Sequence, residues 1–233
     1  MFDAIPHPPP NSALNTIVAG RHTVQKSGPD AWREAWMQSR AAHWAVVPIE
    51  TIGAADDGAP AFVSPKRLID LAALLTLKGP LHVTPAWTPI RNLAEALAHI
   101  HAIGMIHGDI APSNLLWSPE TEWQLTDFGL ARWRSAPTRA IPAGQYEFMA
   151  PETLDSGNTT PASDIYGFGA TAWAALTGDA PPAFGGALPD ETPVDLMFLI
   201  EQCLSDNPAE RPQDGSAIAT ALAQMEVGGK WNQ

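Results

Sequence analysis

Polar and apolar positions alternate only in short stretches near the start of the chain, whereas later apolar residues recur at spacings of three and four. Over residues 13–26 the β-branched Thr16, Ile17, Val18, Thr23 and Val24 surround Ala19-Gly20, a pattern that predicts a short hairpin. Gly28-Pro29 interrupts that pattern. Behind Asp30, the run AWREAWMQSRAAHW predicts a helix with Trp32, Ala35, Trp36 and Ser39 on one face. VVPIETI and PAFVS read as two strands joined by a turn over residues 54–58. Beyond Pro65 the period becomes helical, first in KRLIDLAALLTL and then in PIRNLAEALAHIHAIG, which Gly104 closes as a C′ residue. Two β-like runs, near residues 114–117 and 123–126, precede three more helical patterns, SDIYGFGATAWAALTG, VDLMFLIEQCLSD and GSAIATALAQM. The expectation is an α+β fold in two lobes. An irregular, Pro-rich stretch over 1–13 leads into a small β-rich lobe over 14–64, and a mostly helical lobe occupies 65–233. A cleft between two such lobes is a common place for a ligand.

With 45% hydrophobic and 16% charged residues, the chain of 233 has the material for a buried core, which excludes disorder as a description of the whole. Lys plus Arg number 13 against 25 Asp plus Glu, a formal net charge of −12. That balance argues against nonspecific association with nucleic acid or anionic membrane, both of which are negative themselves. The single cysteine, Cys203, has no intramolecular disulfide partner and sits in the apolar run LMFLIEQCL, where a small buried side chain is expected. The opening MFDAIPHPPP lacks the basic and apolar regions of a secretory signal, and no apolar run approaches the roughly 20 residues of a membrane span. A cytoplasmic setting is the expectation.

The chemistry concentrates in MIHGDIAPSNLLWSPETEWQLTDFGLARW, which carries Asp109, Asn114 and Asp127. Transfer of a phosphoryl group from ATP needs a carboxylate to orient or deprotonate an acceptor hydroxyl, and oxygen ligands to hold Mg²⁺ against the phosphates. These three residue types suit those tasks, although each alone is also an ordinary turn residue.

The order His107-Gly108-Asp109, Asn114, Asp127-Phe128-Gly129 resembles the catalytic and metal-binding segments of protein kinases. Met149-Ala150-Pro151-Glu152 looks like the end of a kinase activation segment. The run from Ser163 to Gly169 is similar to the start of the long buried helix of the large lobe, and the segment from Asn207 to Pro212 to the arginine segment near the family's C-terminus. The resemblance implies a two-lobed kinase fold that binds ATP with Mg²⁺ and meets a protein substrate or partner. It makes Asp109 the catalytic base and puts Asn114 and Asp127 on the metal. Lys26 in Thr23-Val24-Gln25-Lys26 is the best match to the phosphate-bracing lysine, and Glu34 to its helical partner. It also implies an ion pair between Glu152 and Arg211, with Asp164 tying the catalytic loop to the helix below.

The departures from the family pattern bear on activity. Gly108 stands where regulated kinases carry arginine, so switching by phosphate at Ser135 or Thr138 is not favoured. Ala111 replaces a lysine that contacts the transferred phosphate, and Gln145 replaces a threonine. No G-x-G-x-x-G precedes Lys26, and Gly20 is the sole glycine there. Lys26 and Glu34 are only eight residues apart, short for the family. Three readings stay open: a protein serine/threonine kinase, a pseudokinase scaffold with little or no turnover, and a small-molecule kinase, whose loops also resemble His107-Gly108-Asp109. Trp32, Trp36 and Trp44 read as core or partner-facing residues, and His99 and His101 as packed helix residues, with no zinc-like Cys/His array.

Overall fold

The computed structural model describes residues 15–136, 146–182 and 186–227. The Pro-rich stretch over 1–13, Thr138 and Gln145 lie outside the described residues. The first lobe holds β1 (Thr23–Ser27), α1 (Ala31–Arg40), β2 (Thr51–Ala54) and β3 (Pro60–Pro65). The strands form an antiparallel sheet in the order β1-β3-β2. β2 and β3 make the expected hairpin. Gly58, with φ 80°, supplies the left-handed turn, and Ala59 N donates to Asp57 Oδ1 at 2.9 Å.

The hairpin expected over residues 13–26 does not form. Ile17 N donates to Ala54 O at 2.8 Å and Ala54 N to Asn15 O at 2.9 Å, so this stretch lies along the β2 edge. Thr23–Ser27 instead pairs with β3 from the opposite side. The β-branched residues do seek strand partners, but a local pattern does not say which partner. The helix behind Asp30 forms with a different inward face. Ala31, Glu34, Ala35 and Gln38 are buried, Ala31 and Ala35 pack with Phe62, and Gln38 Nε2 donates to Val47 O at 2.7 Å. Two polar residues with partners of their own therefore displace Trp32 from the inner face. Trp36 stays half-buried and meets Trp133 edge-on at 6.2 Å.

The second lobe begins with β4 (Ile69–Asp70) and α2 (Leu71–Lys78), which Asp70 caps by accepting from Ala73 N. Then come α3 (Val83–Ala102), β5 (Met105–Ile106), β6 (Leu115–Ser118), β7 (Glu122–Leu125), β8 (Arg132–Trp133), α4 (Pro151–Ser156), α5 (Pro161–Thr177), α6 (Val194–Cys203) and α7 (Gly215–Val227). β4, β6 and β7 make a second small sheet in the order β4-β6-β7, and β5 pairs with β8. α3 starts at Val83 and not at Pro89, which lies inside it. Trp87 explains the extension: it is buried, and its Nε1 donates to Glu226 on α7 at 2.7 Å, so tertiary packing overrides the proline signal. The core runs between α3, α5, α6 and α7 through Leu93, Leu97, Ile165, Phe168, Ile200 and Ile218. Cys203 is fully buried there. No helix among the described residues is long and apolar enough to cross a membrane.

The lobes are joined by more than the connection after Pro65. Val47 N donates to Leu125 O at 2.9 Å and Leu125 N to Ala45 O at 2.8 Å, a parallel bridge from the stretch after α1 to β7. Gln124 adds to it. Its Nε2 donates to Val46 O at 3.3 Å, and its Oε1 accepts from Arg67 Nε at 3.0 Å.

Candidate functional site

Between the lobes lies a cleft of about 390 Å³, lined by Val24, Lys26 and Phe62 above and by Asn114, Leu116 and Asp127 below. Lys26 reaches it from β1. Its Nζ donates to Glu34 Oε1 at 2.8 Å and to Asp127 Oδ1 at 3.2 Å. The short connection from β1 to α1 is what lets two residues eight apart meet. Lys26 is half-exposed at 49% of its side-chain surface, whereas the Glu34 side chain is buried at 5%. Burial alone would lower the proton affinity of Lys26, but its hydrogen bond to Glu34 and the charges of Glu34 and Asp127 together raise it. Burial raises that of Glu34, against the pull of Lys26. Among the described residues the cluster thus holds one ammonium between two carboxyl groups.

Asp127 follows β7 with φ 61°, a left-handed backbone that Asp tolerates better than most residues because its side chain bonds locally. Here Gly129 N donates to Asp127 Oδ1 at 3.3 Å. Phe128 is fully buried and packs edge-on against His107, with ring centroids 4.7 Å apart. Arg33 on α1 donates from Nη1 to Gly129 O at 2.8 Å and from Nη2 to Ala131 O, binding this segment to the helix that carries Glu34.

The loop over residues 107–114 reaches the cleft through Ser113 and Asn114. Asn114 Nδ2 donates to Asp109 O at 2.8 Å and to Asp109 Oδ2 at 3.0 Å. Both amide hydrogens are thereby used on Asp109, which leaves Asn114 Oδ1 as an acceptor. Burial pushes the half-buried Asp109 carboxyl above its ordinary range, against the Asn114 hydrogen bond and the His107 ring. The backbone of the loop hangs from Asp164, at 1% exposure, which accepts from His107 N and Gly108 N at 2.8 Å each. Asp164 sits in the first turn of α5, where Thr160 and Ser163 close a reciprocal capping box and Pro161 fixes the first helical position. Gly167, one turn further, allows that close approach: a Cβ there would lie 2.8 Å from Ile110 Cβ and 2.9 Å from Ile110 O. Gly108 has a structural reason of its own. Its φ is 82°, and a Cβ would meet Thr159 Cγ2 at 3.3 Å.

Lys26, Glu34 and Asp127 therefore meet directly, Asn114 and Asp109 meet beside them, and Asn114 and Asp127 line the same cleft. Glu152 accepts from Arg211 Nη1 and Nη2, and Asp164 ties the loop to α5, as the sequence led us to expect. Sequence reasoning did not find the role of His101, whose Nδ1 accepts from Gly215 N at 3.0 Å and whose Nε2 faces Asp164 at 3.0 Å. Nor did it find Arg33 or Gln124. A lone arginine or glutamine on a helix or strand carries no local signal of a distant carbonyl partner.

Among the described residues no group of three His, Cys, Asp or Glu side chains is placed to hold a metal ion unaided. The oxygens at the cleft include the Asp127 carboxylate and the Asn114 amide. Two hard oxygen donors fit Mg²⁺, which commonly takes one or two protein ligands and completes its shell with water and phosphate oxygens.

The sequence is similar to those of known proteins. Residues 15–225 match the family described as protein kinase domain. Serine/threonine-protein kinase PknK of Mycobacterium tuberculosis is 32% identical over 205 residues, covering 79% of this chain and 18% of that protein. Serine/threonine-protein kinase PknA of the same species is 31% identical over 175 residues, 68% of this chain and 41% of the relative. Serine/threonine-protein kinase PkaA of Streptomyces coelicolor is 35% identical over 162 residues, 61% of this chain and 30% of the relative. The chain spans less than half the length of each of these relatives. With a family match over residues 15–225, and with Lys26, Asn114 and Asp127 lining one cleft, the chain belongs to the protein kinase family.

Proposed function

We propose that this chain transfers the γ-phosphoryl group of ATP, taken with Mg²⁺, to a serine or threonine hydroxyl of a protein. The observation that carries this reading is the contact of Lys26 with both Glu34 and Asp127 at the mouth of the cleft. Lys26 braces the α- and β-phosphates and Glu34 keeps its ammonium in place. Asn114 Oδ1 and the Asp127 carboxylate would hold the metal, which when bound would neutralise charge developing on the phosphates. Asp109 orients the acceptor hydroxyl. As the acceptor oxygen bonds to the γ-phosphorus and the bond to the β-phosphate oxygen breaks, Asp109 takes the hydroxyl proton and ADP leaves. Asn114 fixes Oδ2 of Asp109, leaving Oδ1 for that proton. Support also comes from the similar proteins PknK, PknA and PkaA, each a serine/threonine-protein kinase. The test is radiolabelled ATP with Mg²⁺ and a generic protein substrate. Incorporation that Asp127→Ala abolishes supports the reading, and label that is absent or indifferent to that substitution overturns it.

A second reading, a nucleotide-holding scaffold without turnover, draws on Ala111, buried where a cation would steady the transferred phosphate, and on β1, which among the described residues pairs with β3 alone. It predicts a rise in Tm with ATP and Mg²⁺ but no transfer of label.

A further inference from the structure

One strand edge of the first lobe is bare. In an antiparallel ladder alternate residues turn their backbone N–H and C=O toward the neighbouring strand. His22 O accepts from Lys66 N at 2.8 Å, and Gly28 N donates to Pro60 O at 3.0 Å. Both pairs continue the β1–β3 register, which runs from Thr23 opposite Pro65 to Ser27 opposite Ala61. The even-numbered residues of β1 therefore face β3, and Thr23, Gln25 and Ser27 turn their backbone groups outward. Among the described residues no strand lies on that side, and Thr23 O, Gln25 N, Gln25 O and Ser27 N have no hydrogen-bond partner. The opposite margin of the sheet differs, because the stretch over 15–17 lies along β2. A five-residue strand with a bare edge is a template for another strand.

We infer that this edge of β1 pairs with the same edge of a second copy of the chain, antiparallel, about a two-fold axis between the two Gln25 residues. The free groups select that occupant, because they complement themselves. Gln25 N of each copy donates to Gln25 O of the other, and Ser27 N of each to Thr23 O of the other, so every free donor meets a free acceptor. Charge runs in the matching order. Exposed Arg21 precedes the strand and exposed Asp30 follows it, so antiparallel placement sets opposite charges together at both ends, whereas parallel placement aligns like ones. Side chains agree as well. Val24, 44% exposed, and Lys26 both line the cleft, and the pairing sets Val24 of each copy opposite Lys26 of the other, over its aliphatic stem. Each copy thus extends the roof over the other's cleft. Because the stretch over 15–17 occupies the far margin, the pairing closes at two copies. Five paired residues bury little surface, so the dimer is weak and reversible. The inference stands on backbone geometry and does not depend on the phosphotransfer reading.

The test is sedimentation velocity of the chain over a wide concentration range, without nucleotide. The dimer fraction should rise with concentration and level off at two copies. Gln25→Pro removes the central outward donor and no bond to β3, since an edge strand tolerates proline where the N–H faced solvent. It should weaken association about tenfold or more, whereas Gln25→Thr, which keeps the N–H, should associate like wild type. If Gln25→Pro does not fold, Ser27→Pro removes the other outward donor and serves the same comparison. Cross-linking gives an independent readout. Directly opposed residues of a hydrogen-bonded pair lie about 5.5 Å apart at Cα, within the range a disulfide spans. Gln25→Cys should therefore give a disulfide-linked dimer on mild oxidation, and Thr51→Cys, exposed on β2, should not. Cys203 is buried and does not compete. A chain that stays monomeric, association that Gln25→Pro leaves intact or that Gln25→Thr loses equally, assemblies that grow beyond two copies, or equal cross-linking at positions 25 and 51 would each overturn the inference.

Discussion

Arg211 grips Glu152 through both carboxylate oxygens, at 2.7 and 2.9 Å, across 59 residues of chain. The arginine side chain is fully buried and the glutamate 27% exposed. Arg211 also donates to Ser205 O and Ala162 O, so its charge stays in the interior if Glu152 is removed. Breaking one side of such a pair costs about 3–5 kcal/mol, and the partial exposure of Glu152 points to the lower end. Glu152→Ala should therefore lower Tm by roughly 6–12 °C. Asp109→Ala, at a half-buried loop carboxyl, should lower it much less. Superimposable melting curves for the two variants would show that the pair does not anchor the fold.

Asp164 is the more demanding site, because three donors converge on it: His107 N, Gly108 N and His101 Nε2. Asp164→Ala leaves them buried without an acceptor, at about 1–3 kcal/mol for each group left unmade. Amide hydrogen exchange should rise at His107 and Gly108 in particular. Unchanged protection at those two amides would contradict the anchoring described.

Glu34 and Asp127 share one ammonium, so on the proposed reading the lysine clamp would be linked to the metal. In Glu34→Gln the Lys26 charge falls to Asp127 alone, at 3.2 Å in the wild type. The variant should need more Mg²⁺ to reach half of the nucleotide-induced rise in Tm, while Lys26→Met should need less Mg²⁺ but bind ATP more weakly. Identical Mg²⁺ titrations would sever the proposed link.

The raised proton affinity of Asp109 has opposite consequences for turnover and for stability. A base that keeps its proton to a higher pH fails as pH falls, so the acid limb of kcat/KM should lie above the ordinary aspartate range near about 4. For stability, the folded chain binds this proton more tightly than the unfolded chain. The contribution of the group is therefore complete below the unfolded pKa and is lost as pH rises through the raised one. Urea midpoints of Asp109→Asn and wild type should converge in acid and separate in favour of the asparagine toward neutrality. Separation in the reverse direction would mean that burial does not dominate at Asp109.

Burial also pushes the Cys203 thiol up and away from its thiolate form. A thiol-reactive disulfide reagent should leave the native chain unmodified and titrate one thiol after denaturation. Rapid labelling of the native chain would show that α6 opens locally.

The helical lobe could be read from the sequence because its cores are built from Leu, Ile and Ala at helical spacing, and the β2–β3 turn because Asp57-Gly58 carries its own geometry. Asp109, Asn114 and Asp127 could be read because their order along the chain matches a family pattern. What could not be read was pairing at a distance. The run of Thr and Val residues before Lys26 marked strand without saying that its two ends lie on opposite edges of one sheet. Gln38 gave no sign of its inward role, because a polar residue with a buried partner is indistinguishable, in one sequence, from one in water. Gly108 read as a missing arginine, whereas the backbone there also requires φ 82° beside Thr159.

The bridge from Ala45 and Val47 to Leu125, reinforced by Gln124, stitches the two lobes along the seam behind the cleft. Rocking one lobe against the other would unzip that seam, so wide opening about the connection after Pro65 is resisted by backbone hydrogen bonds. On the proposed reading a nucleotide would enter and depart past the thin three-stranded awning of β1, β3 and β2, from which Lys26 reaches into the cleft.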